Sequence, residues 1–362
     1  MTKTKTVSAD VLLQQQADHV DAKKQHEVDE LVRGLKRDLR AKTGQYDELL
    51  DAFQDFKTAA QYMDFMDREF AEPAVIKPES RSGQSESVAV AVATDWHAFE
   101  SVKPEQVNGL NEYTPDICRR SAESFFKTVC RWIEIARGGT KIDTMVMAFL
   151  GDLITSMIHE DKIEGNAGTP LEESLFVADL VIGGLDHLLK NSGCKQIHVV
   201  SCDGNHSRIT IKKRKANRVK HSLEWLLFNF IQRHYEAQGE KRLKFTITPG
   251  YHLYVPFDFS GGKTIRFHHG DEGIRYMGGV GGLAVPAQRQ IKIWNKGRNA
   301  DLDIFGHHHT SEFPRNYIAV GSLMGYSPFS ITGKYEFERP QQVLVTIEKK
   351  RWITGYHPIY VR

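Results

Sequence analysis

Cysteine is scarce in this sequence of 362 residues: four thiols, Cys118, Cys130, Cys194 and Cys202, and no CxxC pair. A long chain with so few cysteines excludes a disulfide scaffold and a thiolate zinc finger as the basis of its fold. No run reaches the ~18 apolar residues that a membrane-spanning helix needs, so no membrane contact is expected. The opening residues, MTKTKTVSAD, lack the apolar core of a secretory signal, and the expected compartment is a reducing cytoplasm. Net charge is equally sparse. Lys and Arg number 48 against 46 Asp and Glu, leaving +2, so total charge announces no polyanionic partner and only a local cluster could. Proline is absent from residues 1–70, which hold only two glycines.

What is present divides the chain in three. Residues 1–70 place apolar side chains at i, i+3 and i+4, as in Asp29–Leu39 and Tyr46–Phe53, and are expected to form a helical appendage of two to four amphipathic helices. Such helices offer a surface for a protein partner or a second copy of the chain. Residues 71–86, with two prolines and three serines, read as a linker. Residues 87–362 change texture. Short apolar runs at Val88, Met145, Gln196, Phe245, Thr264, Leu302, Tyr317 and Val343 alternate with helical patterns over 117–137, 171–191 and 217–238. Strands alternating with helices predict an α/β domain with buried sheets.

Polar residues of a few chemical types stand where these strands should end: Asp95-Trp-His97, Gly151-Asp152, Gly204-Asn205-His206, His268-His269-Gly270 and Gly306-His307-His308-His309. In open α/β sheets, ligands bind at the carboxyl ends of strands. Carboxylate and imidazole together suit divalent ions such as Mn, Fe, Ni or Zn, whereas an all-oxygen set would suit Mg or Ca. Two ions about 3.5–4 Å apart need a shared ligand, and a carboxylate has two oxygens for it. Asp152 is the natural bridge, and Asn205 adds a neutral oxygen. Such a pair holds a water of lowered pKa, a hydroxide nucleophile for attack in line on phosphorus.

In this order the motifs resemble the signature of the calcineurin-like metallophosphoesterases, some phage-encoded members included. The resemblance spans residues 95–309. It implies a four-layer αββα sandwich of two mixed sheets flanked by helices. It implies one ion on Asp95, His97, Asp152 and His309, and a second on Asp152, Asn205, His269 and His307. His206 matches a histidine that binds no metal but contacts the phosphate and can protonate the leaving group. The family often follows Gly-Asn-His with an acid, whereas Ser207 and Arg208 follow here, so something else must orient His206. Arg208 is a candidate for holding a phosphate oxygen. His268 competes with His269 as ligand; alternation turns His308 away from the ions. His159 reads as a structural histidine, and Asn108 and Tyr113 lie in a loop that could approach the substrate.

Substrate class is carried by residues 208–220, where seven of thirteen residues are basic and none is acidic. Lys212, Lys213, Arg214, Lys215, Arg218 and Lys220 are therefore expected to hold a polyanion, DNA or RNA, beside the ions. The glycine-rich stretch 277–282 matches neither phosphate-loop pattern and is expected to be a loop near the site. The expectation is a two-metal phosphodiesterase or nuclease. A phosphomonoesterase, or a binding protein with a structural metal pair, are the rivals.

Overall fold

The structure is a computed structural model that describes residues 30–37, 86–156, 158, 165–277, 282–333 and 335–362. The chain divides into two units, Met1–Glu69 and Phe70–Arg362. Of the first, only 30–37 is described; it is helical, and its Leu31 and Leu35 are exposed. The other readings of residues 1–70, the linker up to residue 85, His159 and most of the glycine-rich stretch lie outside the described residues.

The second unit is a mixed α/β domain with two sheets. The first sheet has the order β10-β9-β1-β2-β3-β4, formed by β1 (Glu86–Ala93), β2 (Lys141–Phe149), β3 (Gln196–Ser201), β4 (Leu243–Ile247), β9 (Gln341–Glu348) and β10 (Trp352–Tyr360). Strands β1 to β4 run parallel, and β9 and β10 close one edge antiparallel. The second sheet orders β5 (Leu253–Phe257), β6 (Lys263–Phe267), β7 (Leu302–Phe305) and β8 (Tyr317–Ala319), with only β5 antiparallel. β1 begins at Glu86, the last residue of the segment read as a linker.

The alternation of Val and Ala in β1 now has a cause. Successive side chains of a strand point to opposite faces. Ala89, Ala91 and Ala93 face helices α1 (Pro115–Arg137), α2 (Pro170–Asn191) and α3 (Leu223–Ala237), where small residues let the helices approach. Val88, Val90 and Val92 face Val255, Ile265, Leu302 and Ile304 of the second sheet. A third cluster packs Leu283, Ala287 and Ile291, at and within α4 (Ala284–Gly297), on Phe305, Tyr317 and Ala319. Helices begin where the sequence supplies caps. The side chains of Thr114, Thr169 and Ser222 accept from the backbone of Ile117, Glu172 and Trp225, and Pro115 and Pro170 open their helices. Helix α3 starts at Leu223 rather than near 217, because the basic stretch before it is loop and a short 3-10 turn.

Strands β5 and β10 and helix α4 go beyond the pattern in the sequence. Pro256 and Pro358 interrupt the two strands, which proline tolerates because both lie at sheet edges.

Two adjacent glycines of α2 should respond with opposite signs. A methyl at Gly184 would stand 2.1 Å from the Phe126 ring of α1, whereas at exposed Gly183 it meets nothing within 4 Å. Gly184→Ala is expected to cost roughly 1–3 kcal/mol through overpacking. Gly183→Ala should gain up to about 1 kcal/mol of helix propensity. Thermal unfolding of the two variants checks both signs.

Candidate metal centre

All five motifs converge at the carboxyl ends of β1, β2, β3, β6 and β7. Potential ligand atoms of Asp95, His97 and His309 lie within 4.8 Å of one another, and so do those of Asp152, His269 and His307. The two triads abut. The Asp95 carboxylate accepts the backbone N–H of His307 from the other triad at 2.8 Å. The N–H of His97 donates to the Asp152 carbonyl at 3.0 Å.

Each carboxylate is half used. Asp95 Oδ2 accepts from Thr94 Oγ1 and from His307 N, both at 2.8 Å, while its buried Oδ1 has no hydrogen-bond partner. Asp152 Oδ1 accepts from the backbone of His206 at 2.8 Å, and Oδ2 lies 2.9 Å from His269 Nε2. Asn205 Oδ1 is likewise buried without a partner. Unpaired buried oxygens normally cost about 1–3 kcal/mol each. The carboxylate oxygens of Asp95 and Asp152, gathered with imidazole nitrogens, fit the donor set of a divalent cation.

The histidines are presented as ligands. His269 Nδ1 donates to the Leu150 carbonyl at 2.7 Å, which leaves Nε2 to face Asp152. His97 Nε2 and His309 Nε2 stand 3.2 Å apart, within hydrogen-bond distance of one another. Burial lowers His269's proton affinity, but Asp152 beside it overrides this and holds the imidazole above its ordinary range. Burial depresses His307, and His308 and His269 add to it. The centre thus keeps a proton where a cation would neutralise Asp152.

The backbone carries strain at the same residues. Among the eight described non-glycine residues with positive φ are Asp95, His97, Asp152, His307 and His309. A left-handed residue costs about 1–2 kcal/mol, and such strain clusters at functional sites. The motif glycines are there for space. A Cβ on Gly204 would stand 2.0 Å from Asp152 Oδ1, and one on Gly306 would stand 2.3 Å from Asp95 Oδ2.

The structure separates the two histidines left open by sequence. His269 joins the cluster, while His268 stacks on Phe305 with centroids 5.0 Å apart and reaches Asp303 at 3.3 Å. His308 is buried, edge-on to Phe305 and His307. Tyr113 is buried, its hydroxyl donating to the Trp96 carbonyl at 2.5 Å, and Asn108 merely caps a 3-10 turn. His206 stands beside His97, ring centroids 4.8 Å apart, and its Nδ1 donates to the Thr155 carbonyl at 2.9 Å. That carbonyl does the orienting for which the sequence offers no acid. Arg208 donates to the Asn205 carbonyl, and its buried Nε has no hydrogen-bond partner.

Sequence reasoning missed the acids that answer the basic stretch. Arg218 does not face solvent. Its guanidinium binds Asp203 Oδ2 at 2.9 Å and Asp271 Oδ1 at 2.8 Å, stacking on Tyr251 at 5.3 Å. Lys213 also reaches Asp271, at 2.9 Å. Lys212, Arg214, Lys215 and Lys220 are exposed. Arg218 is therefore a clamp between the Asn205 and His269 loops rather than an open phosphate contact. Neutralisation came from residues distant in sequence, invisible to a count over 208–220. Also missed were Glu173 and Glu224. Glu173 accepts from the backbone N–H of Phe99, Thr155 and Ser156, and Glu224 from Leu153 and Gly204.

Two outcomes follow from these charges. Burial alone would raise both acids of the clamp. It prevails at Asp203, but at Asp271 Arg218, His269, His307 and Lys213 override it and hold the carboxyl well below the usual range. Arg218→Ala should cost about 3–5 kcal/mol by leaving buried Asp203 unpaired and Asp271 with Lys213 alone. Asp271's share is present above the unfolded carboxyl pKa of about 3.9, so the gap from wild type should narrow below that pH in denaturant titrations. Separately, cation loading must displace the proton that Asp152 holds on His269. Calorimetry in buffers of different ionisation enthalpy should show proton release, with affinity rising with pH; proton-independent binding would contradict this reading.

No protein-family description matches the chain, and neither does any curated protein sequence. Among solved structures, the chain is similar to the Thermus thermophilus sulfate thiohydrolase SoxB in complex with glycerol, at 11% identity and a TM-score of 0.31. The match covers 79% of this chain and 58% of that one, so this chain spans little more than half of that protein's length. A likeness this weak adds nothing to what the geometry of the site itself supports, which is a cluster of His and Asp residues fit for divalent metal.

Proposed function

We propose that the protein is a two-metal phosphoesterase of the calcineurin-like metallophosphoesterase type, and that it hydrolyses phosphodiesters of nucleic acid. One observation carries the reading: two abutting Asp/His triads, each with its potential ligand atoms within 4.8 Å of one another. The three core clusters support the αββα layering of that family.

Asp95, His97 and His309 would hold one divalent cation, and Asn205, His269 and His307 the other, with Asp152 shared; Mn is the proposed metal, with Fe, Zn or Ni as substitutes. Two cations, when bound, supply Lewis acidity to the phosphoryl oxygens and lower the pKa of water. The chain's own residues do the rest. Thr155 fixes His206 by its Nδ1–H, leaving Nε2, across the ring, as the nitrogen that exchanges a proton with the leaving oxygen. Arg208, half-buried beside Asn205, would take a phosphoryl oxygen with its guanidinium. Substrate class rests on the exposed Lys212, Arg214, Lys215 and Lys220, set in a loop pinned beside the centre by Arg218. Lys213 would contribute in part, its ammonium being shared with Asp271. No described helix is long and apolar enough to cross a membrane.

The purified protein with Mn should cleave plasmid DNA or a single-stranded oligonucleotide, or turn over bis(p-nitrophenyl) phosphate. Chelator or Asp152→Asn should abolish this. His206→Asn should lower kcat about 10²–10⁴-fold, the usual contribution of a positioned proton donor. Faster turnover of a monoester with intact DNA would move the substrate to phosphoproteins or nucleotides. Two bound metals with no hydrolysis of any ester would make the protein a metal-stabilised binding protein.

A further inference from the structure

One side of the candidate centre belongs to none of the ligand motifs. Phe329, in the short helix α5 (Pro328–Thr332), sets its ring 5.8 Å from that of His309. It is 42% exposed. Tyr335 packs on Phe329 with centroids 5.5 Å apart and a tilt of 32°, and Tyr276 packs on Tyr335 at 4.2 Å and 34°. Three rings thus step away from a candidate ligand, each leaning on the next.

The wall is built rather than incidental. Ser327 caps α5 in a reciprocal pair with Ser330, Pro328 opens the helix, and the N–H of Tyr335 donates to the Ser330 carbonyl at 2.9 Å. A methyl at Gly333 would meet the Tyr335 ring at 2.4 Å, so the turn is shaped around that ring. Burial, then Tyr276 and Asp95, push the Tyr335 phenol up to about 12, as expected of a group beside the centre's negative charge.

The two flanks of the centre therefore differ in chemistry. Asp271, Arg218 and the basic loop adjoin the triad of Asp152, His269 and His307. The aromatic rings adjoin the triad of Asp95, His97 and His309. Among phosphoesters, nucleotides place a flat ring one sugar away from the phosphorus, with further phosphates running the other way. We propose that Phe329, backed by Tyr335 and Tyr276, is a stacking subsite for the nucleobase next to the scissile phosphate, an inference that rests on the phosphoesterase reading above. Base–aromatic stacking is sequence-tolerant, because every base has a π-face. The subsite should therefore select nucleotides over other phosphoesters without selecting among bases.

The test is equilibrium binding by calorimetry to the Mn-loaded full chain, using adenosine 5′-monophosphate and ribose 5-phosphate as probes. The nucleotide should bind about tenfold more tightly, in line with about 1–3 kcal/mol for a stacked base and 1.4 kcal/mol per tenfold. Phe329→Leu, which keeps an apolar side chain without a ring, and Phe329→Ala should both erase that difference and leave ribose 5-phosphate affinity in place. Equal affinity of the two probes for the wild type overturns the proposal, as does a Phe329→Leu variant that keeps the preference, or variants that weaken both probes alike. Turnover of bis(p-nitrophenyl) phosphate by the wild type against Asp152→Asn judges the phosphoesterase reading separately. A base preference without turnover would leave the subsite standing while that reading falls, and turnover without a preference would do the reverse.

Discussion

The candidate centre depends on two carboxylates that take no part in holding a cation. Glu173 and Glu224 sit in the first turns of α2 and α3, where the helix dipole favours an anion. Their oxygens accept the backbone N–H groups of the loops that follow β1, β2 and β3. Glu173 joins the first loop to the second through Phe99, Thr155 and Ser156. Glu224 joins the second to the third through Leu153 and Gly204. Beyond the ends of parallel strands those amides have no ladder partner, and buried amides left unpaired are costly. The helices therefore do more than cover the sheet, because each delivers the acceptor that sets the spacing of two ligand loops. Burial, aided by the charge of Asp152, pushes Glu224 up to about 8. A cation beside Asp152 would relieve that repulsion, so loading the centre and tying its loops favour one another.

The same division of labour recurs within the ligands. Asp95 and Asp152 each spend one oxygen on a backbone amide of another loop and turn the second to a histidine of their own triad. The amide that Asp95 holds belongs to His307, itself a left-handed residue. The strained conformations are thus secured by the carboxylates they help to position. Close approach completes the arrangement. Gly151 and Gly204 pass so near one another that a Cβ on Gly151 would meet the Gly204 nitrogen at 2.3 Å. This is why Gly precedes Asp and Asn in these motifs.

Much of this was legible in the sequence because it is local. The alternation of Val88–Ala93 and the helical spacing over 117–137 follow from neighbours within a turn or two. So do the five motifs, since each is a strand end with its glycine and its ligands. What was not legible depends on distant partners. Glu173 and Glu224 look like ordinary acids of a solvated helix until folding carries them under the loops. The run 208–220 looks open to a polyanion until Asp203 and Asp271 arrive to bind Arg218. The strands that hold Pro256 and Pro358 escaped the sequence pattern, and only the sheet order shows that they lie at edges.

The balance of charge around the two triads points to what the fold is arranged to do. A purely structural metal site needs its ligands satisfied and its surroundings neutral. Here the second triad is flanked by Asp203 and Asp271, whose two charges Arg218 and Lys213 offset, while further exposed basic residues extend the positive surface outward. The first triad opens onto His206, whose Nδ1 is held by the Thr155 carbonyl and which stands outside both triads. Next to it stands the exposed ring of Phe329. A site meant only to be closed around metal would bury that ring and would gain nothing from orienting His206. Both are arranged toward something that enters from outside, and the proposed hydrolysis of a phosphoester would use each of them.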